Sequence, residues 1–338
     1  MHVATLGIDL AKHMFQLHGV DARGQAVLSR RVRRSQLMEV VASLPPCVIG
    51  MEACASAHHW GRAFEQCGHT VKLMSPKYVK PYVKTNKNDC RDAEAICEAV
   101  SRPTMRFVAV KTVDQADLQA VHRSRSLLIK TRTALINQIR GLLGEYGLVI
   151  ARSPEQVRPA LVGLLNDEQT GLTPFARDTF SELYEQLVEL EPRIARVNQR
   201  LDRVFRAHPV CRKLAAVPGI GPLTATALLA AVSRPHAFQN GRHLAAWLGL
   251  VPRHCSSGGH ARLGGLSKRG NRYVRTLLIH GARAVVQRAA HKTDAHGRWM
   301  WDLKRRKGTT VAAVAVANKH ARVIWALLAH DDVYRQPA

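Results

Sequence analysis

The alternation of apolar and polar positions divides the chain into three stretches of different character. In the first, Val3 to Leu10, Phe15 to Val20 and Gln25 to Val32 are β-rich apolar runs. The turns Ala11-Lys12-His13 and Asp21-Ala22-Arg23-Gly24 separate them, which predicts an antiparallel meander. Gln36 to Leu44 has helical spacing and is stopped by Pro45-Pro46. Cys47 to Met51 reads as a short buried strand, Ser56 to Cys67 as a helix ending at Gly68, and Thr70 to Met74 as another strand. After Pro76 a basic loop runs to Lys87, with tyrosines interleaved among lysines, and a helix is expected from Asp92 to Val100.

The middle stretch is helical. Leu118, Val121, Leu128, Leu135, Ile139 and Leu142 recur at heptad-like spacing between Asp114 and Tyr146. Leu183, Leu187, Leu190, Ile194, Val197, Leu201 and Val204 alternate by four and three, the pattern of a coiled-coil seam. Pro192 predicts a kink or a restart in that helix. Residues 152–175, rich in Pro and Gly, read as a broken connection between the two long helices. The seam fits either an intramolecular hairpin or self-association. The last stretch ends in an alanine-rich helix, Val311 to Leu328, expected to form core.

Composition changes the picture by its charge. The 338 residues carry 50 Lys and Arg against 25 Asp and Glu, a formal net charge of +25. A surplus of this size attracts polyanions, and nucleic acid is the first such partner to consider. An anionic membrane is the other, but no apolar run reaches spanning length and no signal-peptide pattern opens the chain, so a cytoplasmic, nucleoid-associated location is expected. The seven cysteines are scattered without a Cys-x-x-Cys pair, which predicts reduced thiols. None of the 17 histidines has convincing metal spacing.

Against this basic background four acids stand out. Asp9 lies in the first apolar strand and Glu52 ends the fourth. A carboxylate in such a position is costly unless it is ligated or paired. Asp89 and Asp92, in Lys87-Asn88-Asp89-Cys90-Arg91-Asp92-Ala93, are three residues apart, which puts both on one helix face. Alone, the aspartate pair reads as helix capping. With the two strand-end acids it reads as a carboxylate set for hard divalent cations, Mg2+ first and Mn2+ as its substitute. A Gly-Ile-Asp strand also opens sugar kinases, but here Leu10-Ala11-Lys12-His13 follows in place of a phosphate-holding turn.

In this order and context the four acids resemble the DEDD set of insertion-sequence transposases with a RuvC-like, ribonuclease-H-type domain, the family of bridge-RNA-guided recombinases. The resemblance spans nearly the whole chain. It implies an α/β nuclease domain at 1–110, a helical coiled-coil region at 111–207 and a compact, mainly helical serine domain at 208–332.

The C-terminal motifs carry the rest of the chemistry. Val217-Pro218-Gly219-Ile220-Gly221-Pro222 before a small-residue helix resembles a helix-hairpin-helix, whose glycines let backbone N–H groups approach a phosphate. A tight helix connection is the other reading. Ser256-Ser257-Gly258-Gly259 is, by itself, a flexible loop. Flanked by Arg253 and by Lys268-Arg269, a serine there could attack a phosphodiester. Family resemblance implies that Ser257 is the nucleophile, with Ser256 as the alternative. Lys268, Arg272 and Arg275 have helical spacing and are expected to touch phosphate, as are Lys80, Lys84, Lys87, Gly219, Gly221, Arg253 and Arg269.

Together these features predict a Mg2+-dependent DNA transposase that forms a serine–DNA bond. By resemblance, a structured RNA guides it, and it assembles as a dimer or tetramer. The competing readings are a junction-type endonuclease with an inert Ser257 and a basic nucleic-acid scaffold without catalysis.

Overall fold

The computed structural model describes residues 2–84, 88–232, 234–255 and 262–335. The chain divides into two compact units, residues 1–113 and 114–338, the first a mixed α/β domain with a central sheet and the second helical.

The first unit is built on a six-stranded sheet. It contains β1 (Thr5–Asp9), β2 (Met14–Val20), β3 (Ala26–Arg33), α1 (Leu37–Ala42), β4 (Val48–Glu52), α2 (Ala57–Gln66), β5 (Thr70–Met74), α3 (Pro76–Val79), α4 (Asp89–Val100) and β6 (Phe107–Val108). The strand order is β3-β2-β1-β4-β5-β6. The expected meander forms: β1, β2 and β3 are antiparallel neighbours. β4 and β5 then add in parallel, and β6 closes the edge antiparallel. Strand alternation sorts the side chains. Leu6, Ile8, Phe15, Leu17, Ile49, Met51 and Leu73 bury one face against Leu37 and Val41 of α1 and Trp60 and Phe64 of α2. The opposite face of β4 and β5 meets α3 and α4 through Met74, Val79, Ile96, Ala99 and Val100.

Two local expectations change here. The basic segment after Pro76 is not an open loop but α3 followed by a 3-10 turn, Lys80–Tyr82. Buried Val79 anchors it to the α4 side of the core. The helix expected from Asp92 begins at Asp89, because Asn88 is the cap: its side-chain oxygen accepts a hydrogen bond from the Cys90 N–H at 3.1 Å.

The second unit opens with α5 (Val113–Gly144), α6 (Val157–Asn166) and α7 (Pro174–Ala207). α5 and α7 run antiparallel. Ile136, Ile139 and Leu143 pack with Phe180 and Leu187, while Leu118 meets Leu201 at the other end. The Arg125 guanidinium donates to the Asn198 side chain at 2.7 Å between them. The predicted seam is therefore buried within the single chain, with Leu187, Leu190, Ile194 and Leu201 nearly inaccessible. This is the hairpin arrangement, one of the two that the seam allows. α7 runs through Pro192 as one helix, with no restart, and Leu190 before the proline and Ile194 after it are both buried. The connection expected to be irregular contains α6, because Val157 and Leu161 cover the end of the hairpin.

The remaining elements are α8 (Pro209–Ala215), α9 (Pro222–Ala231), α10 (Gly241–Trp247), the strands β7 (Pro252–His254) and β8 (Leu263–Leu266), α11 (Arg272–Gln287) and α12 (Ala295–Ala329). They enclose a core that includes Leu214, Leu228, Leu244, Leu278, Ala282, Val316, Ala321 and Ile324. α12 is two helical stretches joined at Gly308, whose φ of 79° breaks the helix. By length and composition α12 is apolar enough to cross a membrane, contrary to the sequence reading. Its Ala312, Val316, Ala317, Ala321 and Ile324 are fully buried in this core, and so it is the unit's central helix.

Two buried histidines make the second unit acid-sensitive. Burial, with Arg125 adding to it, pushes His122 down to about 4, and burial with His296 and two lysines does the same to His320. A depressed histidine contributes stability that is complete above its unfolded value near 6.5 and is lost as pH falls towards 4, because only the unfolded chain takes up the proton. The cost is on the order of 3 kcal/mol per histidine at the acid end. Urea unfolding should therefore show stability falling between pH 6.5 and 4, and His320→Leu should flatten that slope. An unchanged slope in the variant would remove His320 from the account.

Candidate active site

The register of the sheet sets the positions of the first two acids. Ile8 pairs with Met51 in the parallel β1–β4 ladder, so Asp9 and Glu52 follow side by side at the C-terminal ends of adjacent strands. Both occupy the same side of the sheet as Gly7 and Gly50, the side covered by α4.

Gly7 and Gly50 let α4 come down onto the strands. A Cβ on Gly7 would lie 2.3 Å from the Ala93 carbonyl oxygen and 2.6 Å from the Cys97 nitrogen. One on Gly50 would lie 2.9 Å from the Val100 Cβ. Both are contacts that require the helix to move. The helix answers with small residues, Ala93 and Cys97, on its buried face, and the Cys97 thiol donates to the Thr5 carbonyl at 3.6 Å. At this depth the first turn of α4 is level with the end of β1. The carboxylates of Asp9, Asp89 and Asp92 each bring an oxygen within 4.8 Å of the others.

Glu52 stands beside that cluster, one strand over. Its field reaches the thiol of Cys54, which is pushed above its ordinary value by partial burial first, then by Glu52 and, more weakly, Asp9. Three converging carboxylates repel one another unless a cation shares them, and hard oxygen donors suit Mg2+ or Mn2+. The α4 N-terminus adds its dipole to the stabilisation of Asp89 and Asp92. The donor set thus fits a divalent ion, with Asp9, Asp89 and Asp92 as the inner group and Glu52 at its flank.

The basic residues expected to touch nucleic acid divide into several groups. Lys80 is exposed. Lys84 pairs with Glu94 at 3.0 Å and Glu98 at 3.6 Å on α4, so part of its role is to tie the 3-10 turn to that helix. Lys87 lies outside the described residues.

In the second unit β7 and β8 pair, with His254 opposite Leu263 and the Cys255 N–H donating to the Arg262 carbonyl at 2.9 Å. Ser256 and Ser257 fall between those strands, outside the described residues. Arg253 is exposed on β7, and Lys268, Arg269 and Arg272 are exposed beyond β8. Of Lys268, Arg272 and Arg275, read as sharing helical spacing, only Arg272 and Arg275 lie on one helix. Lys268 has a left-handed φ of 54°, and α11 starts only at Arg272, capped by Asn271.

Arg275 is corrected from a phosphate contact to an internal brace. It is 7 % exposed, and its guanidinium donates to the carbonyls of Leu248 at 2.9 Å and Arg269 at 2.8 Å. It thereby fixes the backbone of the exposed Lys268–Arg272 segment. Gly219 also faces protein. At φ 85° its would-be Cβ falls 2.7 Å from the Gly281 carbonyl of α11, so this glycine allows the turn to pack on a helix. Gly221, at the start of α9, has open space around it.

Sequence reading missed three features of the acid site: the paired glycines beneath α4, the Asn88 cap and the proximity of Cys54. Glycines at matched positions of two strands, each two residues before an acid, are the signal that could have revealed the first.

Comparison with known proteins gives the family. A DEDD transposase family model matches residues 6–148, and a model described as the IS116/IS110/IS902 transposase family matches residues 211–297. A Pseudomonas aeruginosa protein named as a probable family 20 transposase is 48 % identical over 336 residues, covering 99 % of both chains. The transposase for insertion sequence element IS1111A of Coxiella burnetii is 47 % identical, over 98 % of this chain and 92 % of that protein. The transposase for insertion sequence element IS1328 of Yersinia enterocolitica is 37 % identical, over 98 % of this chain and 99 % of that protein. With both family models in place and full-length relatives at this identity, the chain belongs to the IS116/IS110/IS902 family of DEDD insertion-sequence transposases, enzymes that act on DNA.

Proposed function

We propose that this transposase cleaves and rejoins DNA with two sets of residues: a RuvC-like, ribonuclease-H-type acid site and a C-terminal serine. The observation that carries the reading is the convergence of Asp9, Asp89 and Asp92 within 4.8 Å beside Glu52. The sheet order, an antiparallel β1–β3 meander extended by parallel β4 and β5, supports the ribonuclease-H-type assignment. We divide the chain at 1–110, 111–207 and 208–332 into nuclease, helical and serine regions.

In this reading Asp9, Glu52, Asp89 and Asp92 hold Mg2+. A bound ion supplies charge neutralisation on the phosphate and a stabilised leaving oxygen. The protein residues do the rest. The Ser257 oxygen bonds to phosphorus, the bond from phosphorus to one deoxyribose oxygen breaks, and the serine proton passes in net to that leaving oxygen. The phosphoserine bond retains the energy needed for rejoining, and the reverse attack by a deoxyribose hydroxyl on the new partner strand frees the serine. Arg253, Lys268, Arg269 and Arg272 are exposed cations suited to the charge on the transferring phosphate. Gly221, Lys80 and Lys87 are read as backbone contacts that orient the DNA.

Three further parts of the reading rest on the family resemblance. A structured, element-encoded RNA selects donor and target DNA. The chain works as a homo-oligomer, a dimer or tetramer, with the two catalytic sets brought together on the DNA. It acts in the bacterial cytoplasm, on the nucleoid.

Substitution separates the two residue sets. Asp9→Asn and Asp92→Asn should each lower Mg2+-dependent recombination by at least about two orders of magnitude, the scale for loss of one charge-stabilising group, and should weaken Mn2+ binding measured by calorimetry. Wild-type activity in Asp9→Asn would dismiss the acid site. Ser257→Ala should abolish the protein–DNA adduct that survives denaturation, while Ser256→Ala keeps it. Intact cleavage in Ser257→Ala, with no adduct in the wild type, would instead establish a junction-type endonuclease. Sequencing the nucleic acid that co-purifies with the protein tests the guide: one discrete RNA from the flanking element is expected, and a heterogeneous, salt-removable mixture would exclude it.

A further inference from the structure

The acid site leaves a question of charge. Four carboxylates at one end of a sheet repel a DNA backbone, and a bound cation offsets only part of that field. Cations close to the acids, on the face from which the strand arrives, would offset more.

The register of the sheet puts such cations there. Asp9 pairs with Gln16 of β2, and Gln16 pairs with Arg31 of β3. Directly paired residues point to the same side of a sheet, so Asp9, Gln16 and Arg31 form one row on the α4 face. Arg33, paired with Met14, lies on the same face one step further out, at the end of the sheet that also holds the Lys12-His13 turn. α4 lies over β4, β1 and β2, and β3 is the outer strand, so Arg31 and Arg33 remain exposed. Neither belongs to an ion pair among the described residues. At about 4.8 Å per strand, Arg31 is rooted roughly 10 Å from Asp9, within reach of the phosphate next to one held at the acids. The neighbouring arginines differ. Arg30 pairs with Leu17 and is on the opposite face, and Arg34 stacks over Phe15 and Trp60 on that opposite side.

We propose that Arg31 and Arg33 on the open edge strand form a phosphate track that holds the DNA strand as it enters the acid site. They are positioning residues: they touch the backbone beside the reacting phosphate and leave the reacting atoms to the acids. The proposal rests on the acid-site reading above and deepens it by naming the direction from which DNA reaches Asp9.

The full-length chain, purified with its bound RNA, and a duplex carrying the end of its own insertion element test this. Binding is followed by fluorescence anisotropy in Ca2+ over a range of salt, and cleavage in Mg2+ over a range of DNA concentration. The double variant Arg31→Gln/Arg33→Gln should lower the slope of log affinity against log salt by about 1.8, at roughly 0.9 per lost phosphate contact. Its KM should rise about tenfold or more, with kcat within about twofold of wild type. Arg31→Lys/Arg33→Lys should keep the slope, which also reports that the strand still folds. Arg30→Gln, one charge removed from the other face of the same strand, should match the wild type. A double variant with wild-type slope and KM would overturn the track, and so would Arg30→Gln losing as much per charge as the double variant. Asp9→Asn separates this from the underlying reading. It should bind with the wild-type slope but not cleave, and cleavage by Asp9→Asn would sink the acid site whatever the arginines do.

Discussion

The close approach of α4 to β1 and β4 is the contact on which the carboxylate cluster of this protein depends. Two glycines and two small helix residues bring backbone to within van der Waals distance of backbone, and the carboxylates at the helix start and the strand ends follow from that depth. Were the helix one side chain further out, Asp89 and Asp92 would stand away from Asp9 as ordinary first-turn acids. The site is thus assembled by packing, and the cost of crowding like charges is borne by the buried apolar layer of Ile96, Ala99 and Val100 beneath it.

The helical unit shows the complementary strategy. Its hairpin is closed on itself by a long apolar seam, and its C-terminal core is centred on the broken helix α12. Exposed cations at Arg253 and at Lys268–Arg272 ride on this framework, and the buried Arg275 ties their backbone to the turn after α10. A charge inside the protein holds the geometry of charges outside it. That division of labour cannot be seen from residue type, since Arg272 and Arg275 look alike in the sequence.

The acids themselves were legible in the sequence because carboxylates at apolar strand ends are anomalies. The first five strands of the first unit were legible from their apolar runs and the long helices from their heptads, whereas the two-residue β6 is too short to leave a pattern. The helical turns after Pro76 were not, since a run of lysines and tyrosines gives no periodicity and only the burial of Val79 orders it. The continuity of α7 through Pro192 was hidden for a related reason: intrinsic preference predicts a break, and packing on both sides of the proline overrides it.

What the sequence by itself determined is therefore the inventory: a basic chain, an α/β part followed by helices, four acids in a recognisable order and a serine loop among cations. Only the tertiary structure decided which of these meet. It gathered Asp9 with Asp89 and Asp92, 80 and 83 residues further along the chain, withdrew Arg275 into the protein interior and set Gly219 against α11, packed the coiled-coil seam within the chain, and aligned Arg31 with Asp9 across two strands. The physical reason is the same in each case. Local spacing fixes a residue's face on its own strand or helix, whereas its partner is fixed by register and packing depth, which depend on residues far away in the chain.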